Sequence, residues 1–141
     1  MPADITKQIL VVDDDPVSLD LISHQLEQRG YSVTKAQSAR DALEIVNNEE
    51  VLIVMTDVEM PEMDGLQLLQ EIKRARGIVQ VIMVTATEDL EHILIALQNG
   101  ADDFLLKPLD AERMEEALAV ARARIARWQD TMRSLFERAG A

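Results

Sequence analysis

The sequence predicts an α/β fold, a three-layer sandwich with one parallel sheet between two layers of helices. Three observations point there. Short, wholly apolar runs recur, among them Ile9-Leu10-Val11-Val12, Leu52-Ile53-Val54-Met55 and Val81-Ile82-Met83-Val84; such runs suit strands buried on both faces. Helix-length stretches with apolar residues three and four apart separate them. The alternation is strict through five strand–helix units, the pattern that parallel strands with helical crossovers require. It settles the class and leaves the strand order open.

The elements follow in order. Gln8–Val12 reads as the first strand, and Asp15-Pro16 as a helix cap followed by proline at the first helical position. The first helix carries an apolar stripe of Val17, Leu21, Ile22 and Leu26 and ends at Gly30, where glycine suits a helix C-terminus. Tyr31–Lys35 is the second strand. Ser38 with Asp41 resembles a capping box opening a helix with Ala42, Leu43 and Val46 inward. Leu52–Thr56 is the third strand, and Asp64-Gly65 a turn opening a helix with Leu66, Leu69 and Ile72 inward. Val79–Val84 is the fourth strand, followed by a stripe of Leu90, Ile93 and Leu97; Asp103–Leu106 is the fifth. Asp110 caps the last helix, with Glu112, Glu115 and Glu116 near its positive end and arginines towards its negative end.

That last helix is long. Met114, Leu118, Ala121, Ile125, Trp128, Met132 and Leu135 recur in steps of four and three, a heptad seam. Its first half is expected to cover the sheet. From Trp128 onward it outruns the domain, so the stripe at Ile125, Trp128, Met132 and Leu135 is read as a surface for a second copy or a lead towards an output module. The division expected is a flexible N-terminus at 1–6, a domain at 7–127 and a helical extension at 128–141.

Composition narrows the function classes. The chain of 141 residues has a net charge of −12, from 14 basic and 26 acidic residues. A surface this acidic argues against direct nucleic-acid binding, which needs basic groups against phosphates. The arginines Arg122, Arg124 and Arg127 are too few for a recognition helix. No apolar run approaches the roughly 20 residues that cross a bilayer, so no membrane partner is expected. The start of the chain does not read as a signal peptide. Without cysteine there is neither a disulfide framework nor a thiolate metal site. The expected compartment is the cytoplasm.

Residues just past the ends of parallel strands gather at one edge of the sheet, the usual ligand crevice. Here those residues are Asp13 and Asp14 after the first strand, Asp57 after the third, Thr85 after the fourth and Lys107 after the fifth. Carboxylates about 4 Å apart repel by roughly 1 kcal/mol in water and by several at lower effective dielectric. A small divalent cation reverses that sign, and Mg²⁺ takes one or two protein carboxylates together with a phosphate oxygen. One aspartate would serve as nucleophile towards phosphorus, with Lys107 neutralising phosphoryl charge and Thr85 donating a hydroxyl. Asp15 is assigned to the cap. His24 and His92 are read as solvent-facing, since no second His or Cys gives them metal spacing.

The segments ILVVDDDP, MTDVEMPEMDG, VTAT and FLLKP together resemble the receiver domain of two-component response regulators, over roughly residues 7–127. The resemblance implies a flavodoxin-like strand order of 2-1-3-4-5. It implies that Asp57 accepts a phosphoryl group from a sensor histidine kinase or phosphotransfer protein. Mg²⁺, or Mn²⁺ in its place, would be held by Asp13, Asp14, Asp57 and the backbone carbonyl of Glu59. Thr85 and Lys107 would contact the phosphoryl group. Thr85 and Phe104 would form a switch acting on the face of helix 4, strand 5 and helix 5, which a downstream protein or output domain reads. Glu59 and Thr87 match positions linked to phosphoryl lifetime, and Lys107-Pro108 matches a step that is often cis. Such a protein is not an enzyme beyond its own phosphorylation and dephosphorylation.

Two alternatives stand beside this. A phosphatase of the haloacid-dehalogenase type would use Asp13 as nucleophile in a pair with Asp15; the short length and Pro16 directly after the acids argue against it. The chain also reads either as free-standing, since no output domain fits in the remaining residues, or as the receiver portion of a longer regulator.

Overall fold

Five segments pair as parallel strands, β1 (Gln8–Val12), β2 (Ser32–Ala36), β3 (Ile53–Asp57), β4 (Gln80–Thr85) and β5 (Asp103–Leu106), in the order β2-β1-β3-β4-β5. Between and after them run α1 (Pro16–Gln28), α2 (Ala39–Asn48), α3 (Gly65–Ala75), α4 (Leu90–Gln98) and α5 (Ala111–Gly140). This is a computed structural model, and it describes residues 4–86 and 89–140. The predicted class and strand order are both found. Three strands sit one residue later than their sequence patterns place them, so Asp57 and Thr85 are the last residues of β3 and β4 rather than the residues following them.

Alternation along the strands divides the core in two. Ile9, Val11, Ile53, Met55, Ile82 and Val84 face one side, with Leu19, Ile22 and Leu26 of α1 and Met114, Leu118 and Ile125 of α5. Leu10, Val12, Val54, Val81 and Met83 face the other, with Ala42, Val46, Leu68, Leu69, Ile72 and Ala96. Each large aliphatic side chain so buried stabilises the fold by roughly 1.5–3 kcal/mol relative to exposure. The strands β1, β3 and β4 are apolar over most of their length because neither face meets water, whereas the edge strand β2, Ser-Val-Thr-Lys-Ala, is mostly exposed.

Caps fix where the helices start. Asp15 accepts from the Val17 N–H at 3.1 Å and Pro16 opens α1; Ser38 accepts from the Asp41 N–H at 3.1 Å; Asp110 accepts from the Glu112 N–H at 2.9 Å. The reciprocal capping box is at α3, where Asp64 and Gln67 each accept from the other's backbone N–H, at 2.8 and 3.0 Å. Gly30 has φ +91°, the left-handed conformation that closes α1 without a Cβ penalty. Ahead of β1, Asp4 caps a 3₁₀ turn, Ile5–Lys7, and Arg122 of α5 bonds both Asp4 and Thr6.

Two stripes differ from expectation. In α1 the inward residues are Leu19, Ile22, Ser23 and Leu26, while Val17 and Leu21 are exposed. In α4 the one fully buried residue is Ala96, and Leu90 and Leu97 point to solvent. The physical reason is shared. Both helices carry apolar residues on more than one side, so spacing alone does not select the face that meets the sheet.

Candidate functional site

The C-terminal edge of the sheet gathers the acids. Asp13 continues β1 by one residue, its N–H donating to the Ala36 carbonyl at 3.1 Å. Its side chain is almost fully buried, at 1 % exposure. One carboxylate oxygen accepts from the Asp15 N–H at 3.0 Å and the other from Lys107 Nζ at 2.9 Å. Asp57, on the neighbouring central strand, lies 3.6 Å from the same ammonium group. Asp14 is exposed, yet it offers an oxygen within 4.8 Å of one from Asp13 and one from Asp57. The ends of β1 and β3 and the segment after β5 thus deliver three carboxylates and one ammonium to one pocket.

Backbone geometry builds the rest. The Lys107 N–H donates to the Thr85 carbonyl at 2.8 Å, extending the β4–β5 ladder past Leu106, and the Lys107-Pro108 peptide is cis. Thr85 itself is buried. On the other side, the β3–α3 loop folds back so that the Gly65 N–H donates to the Val58 carbonyl at 2.8 Å. A Cβ on Gly65 would collide with the Asp57 carbonyl and stand 2.9 Å from Val58 Cα. Glycine is required there because backbone meets backbone. By sequence Asp64-Gly65 reads only as a turn; the Asp-Gly pair seven residues beyond Asp57 is the available signal.

The electrostatics are undercompensated. Burial pushes the Asp57 carboxyl above its ordinary value; Lys107 opposes the rise, Asp13 adds to it, and the Val58 and Glu59 N–H groups oppose it. For Lys107 the largest single effect is burial, which lowers its pKa. The Asp13 hydrogen bond and the charges of Asp57 and Asp13 outweigh it and raise the ammonium above its usual value. Among the described residues the cluster thus holds three carboxylates, with Lys107 paired to two of them. At an effective dielectric near 20, each carboxylate pair about 4 Å apart costs about 4 kcal/mol, which a divalent cation would convert to attraction. Three acid oxygens within ion-sized reach fit a hard cation that prefers oxygen ligands.

The remaining predicted positions lie around this pocket. Glu59 has an exposed side chain two residues past Asp57. Phe104 is half-buried on β5, paired in register with Met83 and packed against the core beneath α2, α3 and α4. Thr87 lies outside the described residues. His24 is exposed as expected. His92 corrects the solvent-facing reading: its ring is partly buried beside Val58, Glu59 and Met60, with Nδ1 enclosed and Nε2 4.0 Å from Asp89. The predicted extension residues part company at Ile125, which is buried, while Trp128, Met132 and Leu135 are exposed. Among the described residues no helix is long and apolar enough to cross a membrane.

Comparison with known proteins agrees with this geometry. Residues 9–119 match the response regulator receiver domain family. The chain is 39% identical over 110 residues to the transcriptional regulatory protein GlrR of Escherichia coli (strain K12), covering 78% of this chain and 25% of that protein. It is 41% identical over 115 residues to the transcriptional regulatory protein ZraR of Salmonella typhimurium, covering 82% and 26%. The chain thus spans about a quarter of the length of these relatives. Among solved structures, a response regulator receiver domain protein from Clostridium thermocellum superposes with a TM-score of 0.78 at 33% identity, over 86% of this chain and 96% of that one. On these grounds the chain belongs to the response regulator receiver domain family of two-component systems.

Proposed function

We propose that Asp57 is the phosphoryl acceptor of a two-component phosphorelay and that Mg²⁺, or Mn²⁺, assists the transfer. The observation that carries this reading is the convergence of Asp13, Asp14 and Asp57 within 4.8 Å, with Lys107 bound to Asp13 and 3.6 Å from Asp57. Asp13, Asp14, Asp57 and the Glu59 carbonyl would hold the cation, which supplies positive charge to the phosphoryl oxygens. An Asp57 oxygen attacks phosphorus, a P–O bond forms, and the P–N bond to the donor histidine breaks, the imidazole leaving with the electron pair. Lys107 neutralises charge on the incoming group, and Asp13 holds Lys107 in place through its 2.9 Å hydrogen bond. The donor is a sensor histidine kinase or phosphotransfer protein.

Phosphorylation replaces one negative charge by nearly two and adds strong acceptors. Thr85 moves towards them, Phe104 turns into the space released, and the α4–β5–α5 face shifts between two packings that a downstream protein or output domain reads. Glu59 and Thr87 tune how long the group persists. Residues 7–127 act as the receiver and 128–141 as an extension that pairs with a second copy. The working compartment is the cytoplasm, with no direct nucleic-acid or membrane contact by this domain.

The phosphatase alternative loses ground on geometry. Asp13, its nucleophile, has both oxygens engaged, and Asp15 is turned away as the α1 cap. Incubation with Mg²⁺ and acetyl phosphate, read by intact mass, is the test. One phosphoryl group on the wild-type chain and none on Asp57→Asn is expected; retained labelling in that variant overturns the assignment.

A further inference from the structure

We propose that the free edge of β2 is a docking site for an extended basic segment of a partner protein, which joins the sheet as a further strand. β2 stands at the end of the order β2-β1-β3-β4-β5 and pairs only with β1. The Ala36 carbonyl accepts from the Asp13 N–H at 3.1 Å, so Ala36 turns its backbone groups towards β1. Alternation gives Ser32 and Thr34 the same direction and leaves Val33 and Lys35 with N–H and C=O facing outward. Such a row of backbone groups is a template for an added strand. Asp57 stands two strands away, on β3, so nothing here depends on its chemistry.

The groove along this edge selects the occupant. It lies between α1 and α2, has a volume of about 640 Å³, and is floored by the buried Leu19 and Ala36. Along α2 and its C-cap stand Asp41, Glu44 and Glu49, all exposed and, among the described residues, none of them in an ion pair. The one basic side chain lining the groove, Lys35, is already committed to Asp20 at 2.9 Å. In a strand laid beside β2, side chains alternate between the two faces of the sheet. Those on the α2 side meet three uncompensated carboxylates, which Lys or Arg would balance. Those on the α1 side meet Leu19 and the closed Lys35–Asp20 pair, which offer nothing to a second charge. The occupant therefore alternates basic with apolar residues. A second copy of this chain does not fit, because β2 against β2 sets the same carboxylates against each other.

The test is amide hydrogen exchange of the full chain, resolved residue by residue by NMR, in the presence of short capped peptides. The probes are Val-Lys-Val-Lys-Val-Lys-Val, the same peptide with Glu in place of Lys, and the Lys peptide N-methylated throughout. The Lys peptide is expected to slow exchange at Val33 and Lys35. The Glu peptide should not, and N-methylation, which removes the peptide's backbone donors, should abolish the effect. Reversing charge with Glu44→Lys and Glu49→Lys, at exposed positions, should weaken the Lys peptide roughly tenfold. Unchanged exchange at Val33 and Lys35 overturns the site. Equal binding of the N-methylated peptide leaves only diffuse attraction to an acidic chain and overturns strand addition. Undiminished binding to the charge-reversed chain overturns the role of the α2 carboxylates.

Discussion

Two acidic sites sit at opposite ends of the sheet, and they are balanced in opposite ways. At the N-terminal end of β4 and β5, Asp102 is bound by Lys73 Nζ at 2.8 Å, by Arg124 at 3.2 Å and by the Val81 N–H at 2.8 Å. Lys73 is completed by the Val79 carbonyl at 2.7 Å. One carboxylate has two cations. At the C-terminal end, Asp13 and Asp57 share Lys107 and Asp14 adds a third carboxylate within 4.8 Å of both. The first arrangement holds α3, the sheet and α5 together and leaves nothing for a ligand to gain. The second stores repulsion that a cation relieves. Clustered charge alone does not mark a functional site; the missing counter-charge does.

The comparison can be broken by experiment. The largest effect expected is Asp57→Asn, which abolishes acetyl phosphate labelling while leaving the metal-free protein at least as resistant to urea as wild type, because a charge disfavoured by burial is gone. Asp102→Asn does the reverse. It weakens the network around Lys73, destabilises by about 2–4 kcal/mol in urea titration, and leaves labelling intact per folded molecule. A stability loss from Asp57→Asn equal to that from Asp102→Asn would erase the distinction.

Smaller effects sharpen it. Gly65→Ala forces the β3–α3 loop off the Asp57 carbonyl and costs about 1–3 kcal/mol, with slower labelling, measured by urea titration and mass. Mg²⁺ at about ten times its dissociation constant stabilises by about 1.4 kcal/mol; the rise in melting temperature should vanish in Asp14→Asn and persist in Asp102→Asn. The smallest signal is in pH. Asp57 has its folded pKa raised above the unfolded 3.8, so the folded state keeps this proton longer. Its contribution to stability is most favourable below 3.8 and is lost as pH rises through the folded value. Without metal, the stability of Asp57→Asn relative to wild type should therefore grow with pH from about 3.8 upward and then level off. A constant difference across that window would show that Asp57 is not burdened by burial.

Strands β1, β3 and β4 were legible because burial on both faces leaves an almost unbroken apolar run, and Asp13, Asp14 and Asp57 were legible because they follow such runs. Strand order came from resemblance, since alternation is compatible with several orders. The faces of α1 and α4 were not legible. Val17 and Leu21 are four apart and imitate a core stripe, while the true one passes through Leu19 and Ser23; α4, Leu-Glu-His-Ile-Leu-Ile-Ala-Leu-Gln, is apolar on nearly every side. Gly65 against Asp57 is a meeting of backbones created by packing, which no local pattern encodes. Lys73, beside Arg74 at the end of α3, looks like an ordinary solvated pair. Its partner Asp102 lies 29 positions away, and Arg124, which binds the same carboxylate, lies 51 away.

The unbroken course of α5 has a mechanical consequence. From Ile125, the last residue gripped by the sheet, the rod continues for 15 residues to Gly140, about 22 Å at 1.5 Å per residue. A tilt of only about 5° at the gripped end sweeps the tip through about 2 Å over that length. With no proline in the helix and no glycine before Gly140 to absorb the bend, a slight rocking of the anchored half arrives at the far end as a displacement comparable to a van der Waals radius.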